Sequence, residues 1–429
     1  MSKTSTGRSL VLILSSALLA TTMPLSVSAQ ELDDLSVLEP RTLVEAVLAR
    51  NPDMEAIQAA WDAQKAAEEA TGALDDPMLS VSVAPFSLGG GEARTGYGVQ
   101  VEQRFPFPGK RGLARQAARE EARMAGLDHE DFRLELARVA VRAYADYVAA
   151  HESLTLKQRQ EELARETVTI AEGLYTVGRV PQQEPLQAEL ERVRLEHDRI
   201  VLETAVRLAR TRLNTLLHRS PDAALPPPAS LPEVRLSFTD ATGEGHPRLQ
   251  AAQAGVDAAA AAESLARRQF WPDFGVMAGY ENMWEMPEHR WMLGATINVP
   301  LQRNVRHAAV DESRYRGTER RARLQSEQAR LAAELADARH RAQETHHDLM
   351  LLEERTLPVA RAQLEAAQSA YEAGQVNLTA LLDAQRSLWA FEEREVNARA
   401  ELAAYLADYN YALGLLPRVE ATEHDGEQP

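Results

Sequence analysis

Side chains able to do chemistry gather in one short stretch. Met277, Met283, Met286, His289 and Met292 fall close together, and thioether and imidazole donors suit soft ions such as copper or silver. Methionine is equally ordinary packing material, so the stretch reads either as a soft-metal contact or as a packed wall. His346 and His347 are adjacent. On a helix they point about 100° apart, a poor bidentate pair. The chain has no cysteine, which excludes a thiol nucleophile, a disulfide framework and a thiolate metal centre. No Gly-rich phosphate loop, Ser/His/Asp arrangement or His-Glu-x-x-His motif is present. The expectation is a protein that is not an enzyme and takes no cofactor.

The methionine-rich stretch belongs to a pair of strand-like runs, 273–300, and an earlier pair, 78–104, has the same form. Successive strand side chains point to opposite faces. One parity collects Leu79, Val81, Val83, Tyr97, Val99, Val101, Phe105, Phe274, Val276, Ala278, Tyr280, Trp291, Leu293, Ala295, Ile297 and Val299. The other collects Ser80, Ser82, Gly98, Gln100, Glu102, Arg104, Gly275, Gly279, Thr296 and Asn298 together with Met277 and Met292. One face is thus apolar, with the aromatics Tyr97, Phe105, Tyr280 and Trp291 near strand ends. The other is polar or tiny. A lipid-facing barrel wall has this pattern, as does a soluble sheet with one face laid on helices. Each strand is long enough to cross a bilayer with tilt. Four strands close no barrel, and lipid tolerates no open sheet edge. A membrane wall would therefore need several chains.

The 429-residue chain is 45% hydrophobic and 26% charged, the balance of an ordinary folded protein. Its net charge of −17 argues against a nucleic-acid surface. Lys3 and Arg8, the apolar run 10–20 and Val27-Ser-Ala29 read as a secretory signal cut before Gln30. No cysteine follows to carry a lipid. No stretch is apolar for long enough to form a membrane-spanning helix.

The rest is helical. A helix is expected over about 42–73, interrupted at Asn51-Pro52. From Arg111 to Val177 there is no proline, and the spacing of Leu134, Ala137, Val141, Tyr144, Ala145 and Val148 gives an amphipathic rod of roughly 100 Å. Gly178 ends it, and a helix follows over about 182–217. A second long helix is expected over about 304–373, kinked or broken at Pro358. Gly374 ends it, and a last helix runs to about 416.

The two halves repeat one plan. Pro52 and Pro247, Pro77 and Pro272, and Arg111 and Arg306 are each 195 positions apart. Tyr175 and Tyr371, Gly178 and Gly374, and Asn214 and Asn410 are each 196 apart. One residue has slipped in between. The organisation is a signal peptide (1–29), a first repeat (30–219), a Pro-rich linker (220–245), a second repeat (246–417) and an acidic tail expected to be disordered (418–429).

With this doubled plan, the turn Phe105-Pro-Phe-Pro-Gly-Lys-Arg111 and the run Tyr371-Glu-Ala-Gly-Gln-Val-Asn-Leu-Thr-Ala-Leu-Leu-Asp-Ala-Gln385, the chain resembles the TolC-like outer-membrane efflux family. The 105–111 turn looks most like its heavy-metal branch. The resemblance implies a mainly α fold with a small β part. Long helices would form an α-barrel in the periplasm, and four antiparallel strands per chain would join a shared twelve-strand β-barrel in a trimer. It implies as partners a periplasmic adaptor, an inner-membrane resistance-nodulation-division pump and outer-membrane lipid. It places the glycine turns at the periplasmic tip, where acidic residues line an aperture. Asp383 matches one of these, the family's other aspartate falls on Ala380, and Glu184 and Glu189 of the first repeat are further candidates. The expected function is a passive exit duct for heavy-metal cations. The same duct for drugs or an exported polypeptide, and a soluble coiled-coil adaptor, remain as alternatives.

Overall fold

The computed structural model describes residues 35–84, 96–232, 236, 238, 242–282, 287 and 290–417. The signal segment, the acidic tail, the first hairpin loop, Met283, Met286 and His289 lie outside the described residues.

Proline and side-chain caps set the short helices. Helix α1 (Pro40–Arg50) ends at Asn51, whose side chain accepts the Asp53 N–H at 2.9 Å and so caps α2 (Pro52–Thr71). In the second repeat His246 does the same work at the start of α5 (Pro247–Arg268), its Nδ1 accepting the Arg248 N–H at 3.2 Å. In both, proline fills the first helical position, where a missing N–H costs nothing.

The strands are β1 (Met78–Ala84), β2 (Gly96–Phe105), β3 (Asp273–Glu281) and β4 (Trp291–Asn298). They form one antiparallel sheet in the order β1-β2-β3-β4, so the two hairpins join edge to edge through β2 and β3. The register keeps the two parities apart throughout. Val81 faces Val99, Val101 faces Ala278, and Ala278 faces Leu293 on one side. Gln100 faces Gly279, and Gly279 faces Met292 on the other.

The long helices carry the rest of each repeat. In the first, α3 (Lys110–Thr176) is unbroken for 67 residues, about 100 Å, and α4 (Gln183–Leu216) returns along it. In the second, α6 (Arg303–Leu351), a π turn (Leu352–Thr356) and α7 (Leu357–Glu372) run out, and α8 (Leu378–Ala412) returns. The last helix therefore stops short of position 416. Gly414, at φ +76°, turns the chain there.

The π turn is where the slipped residue sits. Leu136 and Leu331, Tyr147 and Ala342, and Lys157 and Leu352 are buried in both repeats at an offset of 195. Glu161 and Leu357, and Ala164 and Ala360, are buried in both at 196. The extra residue thus lies within 352–356, where the Leu357 N–H donates to the Leu352 carbonyl, five residues back. A single π turn takes up one residue and leaves the apolar stripes on both sides in phase. Pro358 follows it and the helix runs on, so the expected break is instead a local widening.

Midway along the bundle, Leu43, Ala46 and Val47 of α1 pack with Ala140, Tyr144, Tyr147 and Val148 of α3 and with Leu213 of α4. The segment after α4 is tied down here. Leu38 pairs with Pro228, the Tyr144 hydroxyl lies 2.9 Å from the Leu38 and Ala229 carbonyls, and the Tyr147 hydroxyl donates to Pro226 at 3.1 Å. Residues 226–229 of the 220–245 stretch are therefore packed against the helices.

Candidate functional site

One candidate surface is the sheet. Leu79, Val81, Val83, Val99, Val101, Val276, Leu293 and Ile297 are all exposed in the single chain, Leu293 at 88%. Burying even a few such side chains is worth about 1.5–3 kcal/mol each, so a bare face of this extent needs a cover. Its two ends are aromatic. Tyr280 sits 6.3 Å from Tyr97 and 5.3 Å from Trp291, giving a row across β2, β3 and β4. At the other end Phe105 pairs with Phe274, and Phe107 stacks on Trp271 at 5.0 Å.

The opposite face is small and polar. Met277 and Met292 both lie on it. The Met277 sulfur accepts a hydrogen bond from the Gln100 amide at 3.4 Å, and its side chain fills the space above Gly294, where a Cβ would collide with it. This geometry is that of a packed methionine. Among the described residues no cluster of three or more His, Cys, Asp or Glu side chains could hold a metal ion.

Below the sheet, Lys110 is 5% exposed and reaches Asp273 at 2.7 Å and the Trp271 carbonyl at 2.9 Å. Asp273 also accepts the Phe107 N–H at 2.8 Å. This knot locks the start of α3 to the base of β3. From its spacing alone Lys110 reads only as part of a turn, with no sign of its burial.

The other candidate surface is the far end of the helices. Gly178 and Gly374 hold φ +76° and +73°, a left-handed conformation that glycine adopts without strain. Both close the same cap: the Arg179 N–H reaches the Leu174 carbonyl, and the Gln375 N–H reaches the Ala370 carbonyl. Around these turns Ala171, Ala188, Tyr371, Leu378, Leu381 and Leu382 form a buried cluster.

The acidic candidates fall into distinct settings there. Glu184 accepts the Tyr371 hydroxyl at 2.9 Å, across the two repeats. Burial and this carboxylate hold the Tyr371 phenol well above its ordinary range, so it stays a donor. Glu189 is held by Arg192 through both oxygens at 2.9 Å, which lowers its pKa. Asp383 is exposed and stands 3.7 Å from Arg386. Arg386 grips Glu191 of α4 with bonds of 3.0 and 2.6 Å, and that grip lowers the buried Glu191 carboxyl. Glu191 and Arg386 were not singled out from sequence, although Arg386 stands three residues beyond Asp383 on the same helix.

A further polar cluster lies between α3, α5, α6 and α8 around a cavity of about 660 Å³. Burial pushes the Asp131 carboxyl up to about 6. It accepts the Tyr411 hydroxyl at 3.0 Å and lies 3.8 Å from Nδ1 of the fully buried His246.

The comparisons with known proteins agree with this arrangement. The family model described as outer membrane efflux protein matches residues 43–218 and 240–414. The chain belongs to this family. The two matched segments coincide with the two repeats. The nickel-cobalt-cadmium resistance protein NccC of Alcaligenes xylosoxydans xylosoxydans is 25% identical over 298 residues, which cover 66% of this chain and 65% of that protein. The fold is that of solved outer-membrane channels. The CusC structure superposes with a TM-score of 0.78 at 18% identity, covering 88% of this chain and 92% of its own. VceC of Vibrio cholerae gives 0.76 at 20% identity, covering 87% and 96%. The open-state MtrE channel of Neisseria gonorrhoeae gives 0.76 at 19%, covering 89% and 90%. Relatives in this family are channels, not enzymes.

Proposed function

We propose that the chain is the outer-membrane duct of a tripartite efflux system, a homotrimer that passively conducts heavy-metal cations from periplasm to exterior. One observation carries the reading. The four-stranded sheet leaves β1 and β4 unpaired at its edges, has an apolar face with no cover, and carries aromatic rows at both ends. An edge in lipid must be closed, and copies of the same chain supply the matching edges. Three copies give twelve strands. Lipid then covers the valine and leucine face, and the serine, glycine and glutamine face lines a wet pore that binds little and so releases what enters.

The helices extend this pore about 100 Å into the periplasm. Asp383, Glu184 and Glu189 stand at its far mouth, where three copies of each would favour cations. An adaptor meets the Gly178 and Gly374 turns, and an inner-membrane resistance-nodulation-division pump supplies the energy. Export follows removal of residues 1–29, without lipidation. The likeness to NccC supports metals as cargo.

The test is a deletion strain challenged with nickel, cobalt, cadmium, zinc, copper and silver, with dyes and detergents as controls. Sensitivity to a subset of metals, with raised cell-associated metal and rescue by the intact gene, is the expected result. Sensitivity to dyes and detergents alone would keep the duct and overturn the metal cargo.

A further inference from the structure

Below the sheet, α6 carries a basic stripe on the same side as the apolar sheet face. Beyond β4 the apolar parity runs on through Val299 and Leu301, both exposed, to Arg303 at the start of α6. Arg303, His307, Arg314 and Arg321 then recur at steps of four and seven, which keeps them on one face of the helix. All four are exposed. Among the described residues none of these three arginines bonds to a carboxylate. Across the helix the charges are instead cancelled locally, Arg316 by Glu312 at 2.7 Å and Arg323 by Glu319 at 2.5 Å. Asp311 flanks the stripe. In the first repeat Arg119, 195 positions before Arg314, holds the same place on α3, 3.8 Å from Glu68.

We infer that the upper part of this stripe, Arg303 and Arg314 with Arg119 beside them, binds the anionic phosphate headgroups of the phospholipid leaflet that faces the periplasm. The inference rests on the membrane-spanning sheet proposed above and adds which lipid chemistry its lower rim selects. The stripe begins at the lower aromatic row, where Phe107 stacks on Trp271 and His307 lies 5.0 Å from Phe270. Aromatic rows of this kind sit at headgroup level. Arg314 stands about 16 Å below the start of α6. Helix side chains lean toward the N-terminus, and α3 and α6 both begin at the sheet, so Arg119 and Arg314 reach back toward the membrane. A guanidinium offers phosphate oxygens two parallel N–H donors. Arg321, about 27 Å down, is out of range of charges screened over about 8 Å. The chain as a whole is acidic, and an acidic protein partner would not require the basic residues to start at the aromatic row.

The test is native mass spectrometry of the full-length protein in detergent, titrated with phosphatidylglycerol or with phosphatidylcholine. The same spectra report the oligomer, so assembly of every variant is read alongside lipid binding. The unmodified protein should retain phosphatidylglycerol in preference, and vesicles of that lipid should lose their advantage over phosphatidylcholine vesicles at high salt. An arginine close to an anionic surface contributes about fivefold in binding. Arg303→Ser with Arg314→Ser should therefore weaken phosphatidylglycerol binding at least fivefold and leave phosphatidylcholine binding unchanged. Arg316→Ser, on the opposite face, and Arg321→Ser, too far down, should change neither. A trimer that binds both lipids equally, or a double variant that keeps the parent's preference, overturns the inference and leaves the duct; the stripe would then face a protein. Loss in Arg321→Ser equal to that in the double variant overturns the assignment to headgroup depth. A protein that forms no trimer and enters no vesicle overturns both the inference and the duct.

Discussion

The Tyr371 hydroxyl donates to the Glu184 carboxylate at 2.9 Å, tying the outgoing helix of the second repeat to the return helix of the first at the far end of the bundle. Tyr371 is 1% exposed, so the bond is shielded from water on one side. A hydrogen bond to a charged acceptor contributes about 1.5–3 kcal/mol. Tyr371→Phe keeps the ring in its cluster and removes only the donor. Single-channel recordings in planar bilayers should then show more frequent opening or a larger conductance, with the thermal midpoint lowered by only a few degrees. A conductance equal to that of the unmodified protein would show that the bond does not hold the mouth.

Much of this fold was legible before the structure, and for identifiable reasons. The strand parity survived intact because a period of two leaves no room for a half-error: Val81, Val99, Tyr280 and Trp291 fall in one row across all four strands. The slipped residue was visible as a change of offset between Arg111/Arg306 and Tyr175/Tyr371. Its position was not, because a π turn has no sequence signature beyond the insertion itself. Pairs such as Lys110–Asp273 and Arg386–Glu191 join residues far apart in the chain. No local spacing reveals which surface charge has a distant partner.

The Lys110–Asp273 knot yields a stability prediction. Removing one member of a buried ion pair costs about 3–5 kcal/mol, and the partial exposure of Asp273 places this case at the lower end. Lys110→Met should lower the denaturation midpoint in detergent and make the sheet–helix junction near Trp271 sensitive to protease. Lys110→Met with Asp273→Asn should recover part of that loss, because no unpaired charge remains. A double variant no better than the single one would mean that the Trp271 and Phe107 backbone contacts dominate.

The π turn predicts unequal tolerance to deletion. Removing Glu354 together with Pro358→Ala should convert 352–356 to α-helix while leaving the stripes above and below in phase. Assembly and heat resistance should then change little. Removing Arg159 from the unbroken α3 instead turns everything beyond it by about 100°. That takes Ala164, Thr167 and Ala171 out of their buried positions. Limited proteolysis should find the tip of this variant cut rapidly and the Glu354 variant intact. Equal damage in both would mean that the π turn is not an absorbed insertion.

Asp131 and His246 give opposed pH effects from one cluster. Asp131, raised to about 6 by burial, keeps a proton in the fold that the unfolded chain has already released above about pH 4. Its contribution to stability is therefore present near pH 4 and is lost as pH rises through 6. His246 is lowered, first by burial and then by Arg248. Its contribution is present above its unfolded pKa of about 6.5 and is lost as pH falls through the lower folded value. In the unmodified protein the two slopes oppose each other where their windows overlap, below about pH 6. Asp131→Asn mimics the protonated carboxyl and keeps an acceptor for Tyr411. It should stabilise the protein at pH 7.5 by on the order of 1–3 kcal/mol and bring no gain at pH 4. The variant then shows the His246 slope alone, weakening on acidification more steeply than the parent. Urea midpoints in detergent at pH 4.5, 6 and 7.5 measure this. Parallel pH curves for the two proteins would show that Asp131 does not titrate in this window, and its hydrogen bond from Tyr411 would then be that of an ordinary ionised carboxylate.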